Sequence, residues 1–290
     1  MDPFDSGVAV IRMRKATYIL IGMALILMAV SAETWAAQQD VAQQFQGFNL
    51  QGYTDGGDKA WDLRGDTADI LNDTIEITNV DANQYGRETV NITARSGVLD
   101  KTNGNIQLRK DVVITSETGA RLTTDFLYWQ KERDLVETDK TVTLTDQGMT
   151  ASGTGLSAQP GLKLAKLDKD VTVEIRPKPD AAHADKVTIT CDGAMEIDQK
   201  VNMAVFHDNV VAVQKDRTLK ADKMDVYFDP ETKQIEKVVC IGHVEIIQGG
   251  NATYAQKAVY NAREQTFVLT GQPKLILVVD EEEGLADFPN

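Results

Sequence analysis

The sequence predicts an all-β protein of stacked antiparallel hairpins, led by one N-terminal membrane helix or signal peptide. Three observations predict it. After about residue 47, apolar and polar residues alternate, the period-2 mark of half-buried strands. The alternating segments recur at a period near 30 residues, which means stacked supersecondary units. Turn signals rich in Gly, Asn and Asp keep the same beat, and no continuous helix-period stretch follows residue 47.

The N-terminus comes first. Arg12, Arg14 and Lys15 precede an apolar run over residues 16–30, followed by the small residues Ser31, Ala32, Ala36 and Ala37. A basic flank, an apolar stretch and a small-residue zone are the layout of a secretory signal. The run is short for a membrane span, but Trp35 is placed to sit at the far interface and lengthen an anchor. Both readings, an uncleaved anchor and a cleaved signal over residues 1–37, send the chain from Gln38 onward out of the cytoplasm. The basic residues stay inside by the positive-inside rule.

The strands follow. Segments such as Asp111-Val-Val-Ile-Thr115 and Asp170-Val-Thr-Val-Glu-Ile175 align on Val112, Val142, Val171, Val210 and Val244, spaced 30, 29, 39 and 34 residues apart. One set of turns falls at 100–104, 130–134, 159–161, 198–200, 229–233 and 261–264. The other falls half a unit later, at 117–119, 146–148, 214–217 and 248–251. Each unit therefore contains two strands of about 12 residues, with no room for a helix, and points to an antiparallel sandwich, roll or barrel. A stack of hairpins has end strands whose free N–H and C=O groups can pair with another chain. The Pro-containing stretch at 176–185 accounts for the 39-residue step and divides the exported chain into 47–176 and 185–280, with a linker at 177–184. Residues 281–290 form an acidic tail.

Composition limits the function. The chain has 290 residues, 42% of them hydrophobic, and a net charge of −14. A mean hydropathy of −0.28 and a pI near 4.7 fit a soluble body with one special segment. The acidic balance excludes nucleic-acid binding, which needs an excess of Lys and Arg. Catalytic patterns are absent: there is no HExxH, CxxC, GxSxG or P-loop. His183, His207 and His243 form no metal-ligand spacing, with His183 in the linker and the other two just before the equivalent valines, as turn residues. Carboxylate pairs such as Asp229 and Glu231 fall in turns, where solvation explains them. The sequence therefore predicts no enzyme, metal or cofactor. Cys191 and Cys240 suit an oxidising compartment and stand either as one bridge or as two buried thiols.

What the chain does then depends on the inward face. Alternation places Val112, Ile114, Leu122, Phe126, Tyr128, Val142, Leu144, Val171, Val173, Ile189, Met195, Ile197, Phe206, Val210, Leu219, Met224, Val226, Val244 and Ile246 inward. The plain reading is a filled hydrophobic core. A second reading starts from the low aromatic content of 6% and the Val, Ala, Met and Gly on this face. Facing sheets held wider than the ~10 Å of full interdigitation leave a slot that suits acyl chains.

Certain segments resemble a known family. The segment 61–68 (Trp-Asp-Leu-Arg-Gly-Asp-Thr-Ala), the strand Thr93-Ala-Arg-Ser-Gly97, the strand 122–129 (Leu-Thr-Thr-Asp-Phe-Leu-Tyr-Trp) and the N-terminal anchor are similar to the membrane-tethered periplasmic component of the lipopolysaccharide export bridge, LptC. The segments 202–210 and 219–227, Gly242-His-Val244 and Leu269-Thr-Gly-Gln-Pro273 resemble the soluble bridge component, LptA, with its OstA-like domain. The resemblance covers nearly all of the exported chain, as though the two were fused. It implies an open, twisted β-jellyroll whose interior shields lipid A acyl chains, with the inward residues as its lining. It also implies units joined edge to edge with other OstA-like bridge or outer-membrane translocon domains, and an inner-membrane ABC transporter that supplies the work. A scaffold that joins envelope proteins by edge pairing alone is the alternative.

Overall fold

A corner in mid-strand, repeated from hairpin to hairpin, organises the protein. The computed structural model describes residues 9–12, 43–86, 88–146, 148–159, 164–176, 185–231 and 234–278. Every regular element among them is a strand. No helix among the described residues is long and apolar enough to cross a membrane. The anchor or signal expected over 1–37 lies outside the described residues apart from Ala9–Arg12 (β1), which pairs in parallel with residues 50–53. The linker, His183 and the acidic tail also lie outside them.

The chain forms two compact units, Met1–Gln147 with Gly155–Gly161, and Gly148–Thr154 with Leu162–Asn290. The first is an antiparallel meander of Gln43–Tyr53 (β2), Lys59–Ile70 (β3), Thr74–Gln84 (β4), Val90–Asp100 (β5), Ile106–Ser116 (β6), Arg121–Gln130 (β7) and Leu135–Asp146 (β8). Met149–Gln159 (β9) is divided between the units. The second contains Leu164–Ile175 (β10), then Val187–Cys191 (β11) and Met195–Asp198 (β12), which pair with β10 as one interrupted strand. Met203–Gln214 (β13), Arg217–Phe228 (β14), Ile235–Gln248 (β15) and Asn251–Asn261 (β16) continue the meander. Thr266–Thr270 (β17) and Lys274–Ile276 (β18) both pair with β16 and end it. Both sets of expected turns fall between consecutive strands.

Five strands share one local plan. Two inward residues, one apart, are followed by a three-residue outward corner and then by two more inward residues. In β6 these are Ile106 and Leu108, the corner 109–111, then Val112 and Ile114. In β8, β10, β13 and β15 the corners are 139–141, 168–170, 207–209 and 241–243, and each is followed by the valine that marked the repeat. Positive φ at Lys110, Asp111, Asp170, Asp208, Asn209, Gly242 and His243 turns the chain there. Asp, Asn and Gly tolerate that conformation best, which is why the corners are rich in them. The ladders shift register at the same places.

The return strands take a shorter step. β5, β7, β14 and β16 carry inward pairs Ile92 and Ala94, Leu122 and Thr124, Leu219 and Ala221, and Thr253 and Ala255. After two intervening residues the inward phase resumes at Gly97, Leu127, Met224 and Ala258. The residue facing the corner is small, so it fits beside the corner valine: Val112 lies opposite Thr124, Val210 opposite Ala221 and Val244 opposite Ala255. The corner valines Val112, Val142, Val171, Val210 and Val244 are 0–1% exposed. Burying one valine contributes about 1.5–3 kcal/mol, so each corner valine is an apolar tie between neighbouring strands.

Candidate functional site

The candidate site is the apolar interior of each unit. In the first, Ala68, Ile75, Ile77, Val80, Ala94, Leu99, Leu108, Val112 and Leu127 form one cluster. Ile106, Ile114, Leu122 and Val136 pack against it. Residues from both sides of the corner thus share one interior. Burial is complete at the corner and falls along the strands beyond it, where Ile114, Leu122 and Leu144 are half-buried. The second unit follows the same gradient on β13–β15: Val210 and Val244 are buried, whereas Ala212, Leu219 and Ile246 are half-buried. Val173 and Ile189, on β10 and β11, remain buried. Phe206, Met195, Met224, Val226, Val238 and Cys240 complete the buried set on the other side of that corner, with Ile197 half-buried beside Ala204. Each unit is closed along its corner and more open towards the strand ends.

Phe126 and Tyr128 are corrected. Strict alternation from Leu122 points them inward, but the step at the β7 corner reverses the phase. Leu127 is the buried member, opposite Leu108, while Phe126 stands opposite exposed Arg109 and Tyr128 opposite Gln107. The Tyr128 hydroxyl accepts a hydrogen bond from Asn105 Nδ2 at 2.8 Å on that outer side. The bridge between Cys191 and Cys240 is also corrected. Both thiols are free and buried, on β11 and β15. Ladders run from β11 to β13, β14 and β15, and three steps of about 4.8 Å exceed the ~7 Å Cα reach of a disulfide. Burial raises both thiols, Cys240 to about 12, so neither is a ready nucleophile.

Charge is kept outside. Paired polar groups line the outer side of the corners: Arg95 Nε with Asp111 at 2.8 Å, Asn209 Nδ2 with Asp192 at 2.8 Å, and His243 Nδ1 with Asp222 at 2.8 Å. Among the described residues three polar side chains are buried: Asp62, Thr124 and Thr138. Asp62, on the outer face of β3, accepts from Asn83 Nδ2 at 2.9 Å and Tyr85 Oη at 2.8 Å, and pairs with Lys59 Nζ at 2.5 Å. Burial pushes its carboxyl up, but the Asn83, Lys59 and Tyr85 hydrogen bonds outweigh it and hold the pKa below the usual value. Thr138 Oγ1 accepts from Lys140 N at 3.1 Å. Thr124 Oγ1 has no partner.

No group of three or more metal-ligating side chains forms among the described residues. Asp229 Oδ1 accepts from Glu231 N at 3.0 Å, so that carboxylate organises its own turn. The end strands carry exposed apolar side chains: Phe45 on β2, Phe267 and Val268 on β17, and Leu275 and Ile276 on β18. Sequence reasoning missed the mid-strand corners and the Asp62 cluster. The triplets 168–170 and 207–209, rich in turn residues inside alternating runs, were the available signal.

Two family models match the chain in succession. Residues 17–176 match the family model described as lipopolysaccharide-assembly, LptC-related. Residues 188–284 match the model of the LptA/(LptD N-terminal domain) LPS transport protein. A solved structure that matches is LptH, the LptA-homologous periplasmic component of the lipopolysaccharide transport device of Pseudomonas aeruginosa. It is 16% identical, with 66% of this chain and 95% of that chain covered and a TM-score of 0.18. No curated protein matches.

Proposed function

Since the chain belongs to the LptC-related family of lipopolysaccharide-assembly proteins, non-enzymatic components of a periplasmic transport bridge, we propose that it shields lipid A acyl chains in its apolar interiors. On this reading, lipopolysaccharide arrives from an inner-membrane ABC transporter and moves toward the outer membrane. The N-terminal segment tethers the chain to the inner membrane. Two β-jellyroll domains, over 47–176 and 185–280, supply the groove, lined by the inward positions other than Phe126 and Tyr128. The observation that carries the reading is the burial gradient: uncharged interiors closed at a valine corner and only half-buried at Ile114, Leu122, Leu144, Leu219 and Ile246. An apolar surface of this kind, kept partly open, suits a ligand with several acyl chains.

Mass spectrometry of lipid co-purified with the protein from native membranes tests it. Lipopolysaccharide in near-stoichiometric amount is expected, and protein free of lipid would overturn it. A second reading, a scaffold without lipid, draws on the exposed apolar side chains of β17 and β18, which suit pairing with another strand edge. In both readings the end strands join other OstA-like domains.

A further inference from the structure

Two inward rows cross the more open side of the first unit. One is apolar and runs from Leu50 and Leu63 through Ile92 and Ile114 to Leu144. The other lies two residues farther out, at the strand ends, and contains Gly52, Trp61, Gln84, Val90 and Ser116. Trp61 is the one aromatic ring in that outer row, and it is half-buried. It does not stand upright on β3. A Cβ placed on Gly52 would fall within the indole, against Nε1, Cε2 and Cζ2, so the ring lies across β2 in the space a side chain at 52 would fill. The backbone at Gly52 is not left-handed, so its φ does not call for a glycine. What calls for one is the ring. The strand beneath the ring is fixed from its other face. Asp62, the next residue, is held there by Lys59, Asn83 and Tyr85, and Tyr85 N donates to Ala60 O at 2.8 Å. A side chain added at 52 must therefore move the indole rather than β3. Laid flat, the indole is a broad, rigid apolar surface between the apolar row and the hairpin ends.

We propose that Trp61 and Gly52 form the sill of the first interior. An acyl chain enters and leaves over the indole face at the ends of β2 and β3, and Gly52 keeps the ring low enough for the chain to pass. This rests on the lipid-binding reading above and assigns the place of exchange within it.

Stopped-flow mixing of the full chain with dansyl-undecanoic acid, followed by dansyl emission, tests it. Gly52→Ala is expected to slow association roughly tenfold, the rate equivalent of the packing penalty of one misplaced methyl group, while thermal unfolding stays cooperative. In the double variant Gly52→Ala/Trp61→Leu the slowing should vanish relative to Trp61→Leu alone, since no ring is left to displace. Dibromostearic acid, a contact quencher, should quench Trp61 in a Trp35→Phe/Trp129→Phe background, where Trp61 is the one tryptophan left. That readout does not depend on the folding of Gly52→Ala. Association at the wild-type rate in folded Gly52→Ala, slowing that persists without the indole, or unquenched Trp61 with the probe bound would each overturn the sill and leave lipid binding intact. Binding of neither probe would overturn both.

Discussion

Asp62 shows how a single charge is accommodated in a wall of this kind. It is 1% exposed, yet three donors surround its carboxylate. Removing the charge leaves Lys59 without its partner, so Asp62→Asn should cost about 1–3 kcal/mol at neutral pH. The pH dependence follows from the sign of the shift. The folded pKa lies below the unfolded one, so the contribution is complete above the unfolded value near 4. It is lost as pH falls from there through the lower folded value. Urea unfolding at pH 7 and pH 3 should therefore show a gap between wild type and Asp62→Asn that is wider at pH 7. A gap independent of pH would assign the site no charge-dependent role.

At the scale of one strand, the corner decides what can be deduced from alternation. A period of two predicts every inward residue up to a corner, and the outgoing strands stay in phase because three outward residues intervene. Val112, Val142, Val171, Val210 and Val244 were therefore legible as equivalent points. The return strands skip two residues, an odd change of phase, so Phe126 and Tyr128 were misplaced while Leu127 was overlooked. Met224 and Val226 escaped the same error because their own strand's apolar spacing, three after Ala221, already contains the step. The Asp62 cluster was not legible, since its members Lys59, Asn83 and Tyr85 come from β3 and from the end of β4 and beyond, and only pairing brings them together. The corner itself makes a prediction. Asn209 has φ near 50° and donates to Asp192. Asn209→Val should lose the conformation and the bond, about 2–3 kcal/mol together. Asn209→Gly keeps the conformation and should lose about 1 kcal/mol or less, as read by thermal unfolding; equal losses would mean that the left-handed turn is not what the residue supplies.

For the whole molecule, each unit combines a rigid seam with a more open interior. The corner columns are fully buried, and exposed polar pairs such as Arg95 with Asp111 and His243 with Asp222 line their outer side. On the proposed reading, the half-buried inward residues farther along the strands exchange contacts between protein and lipid. In-cell photo-crosslinking tests this most directly. A crosslinking residue at Ile114, Leu144, Leu219 or Ile246 should form lipopolysaccharide adducts, while the adjacent outward positions Val113, Thr143, Lys220 and Glu245 should form none. Adducts of equal strength at both sets, or at neither, would contradict the groove.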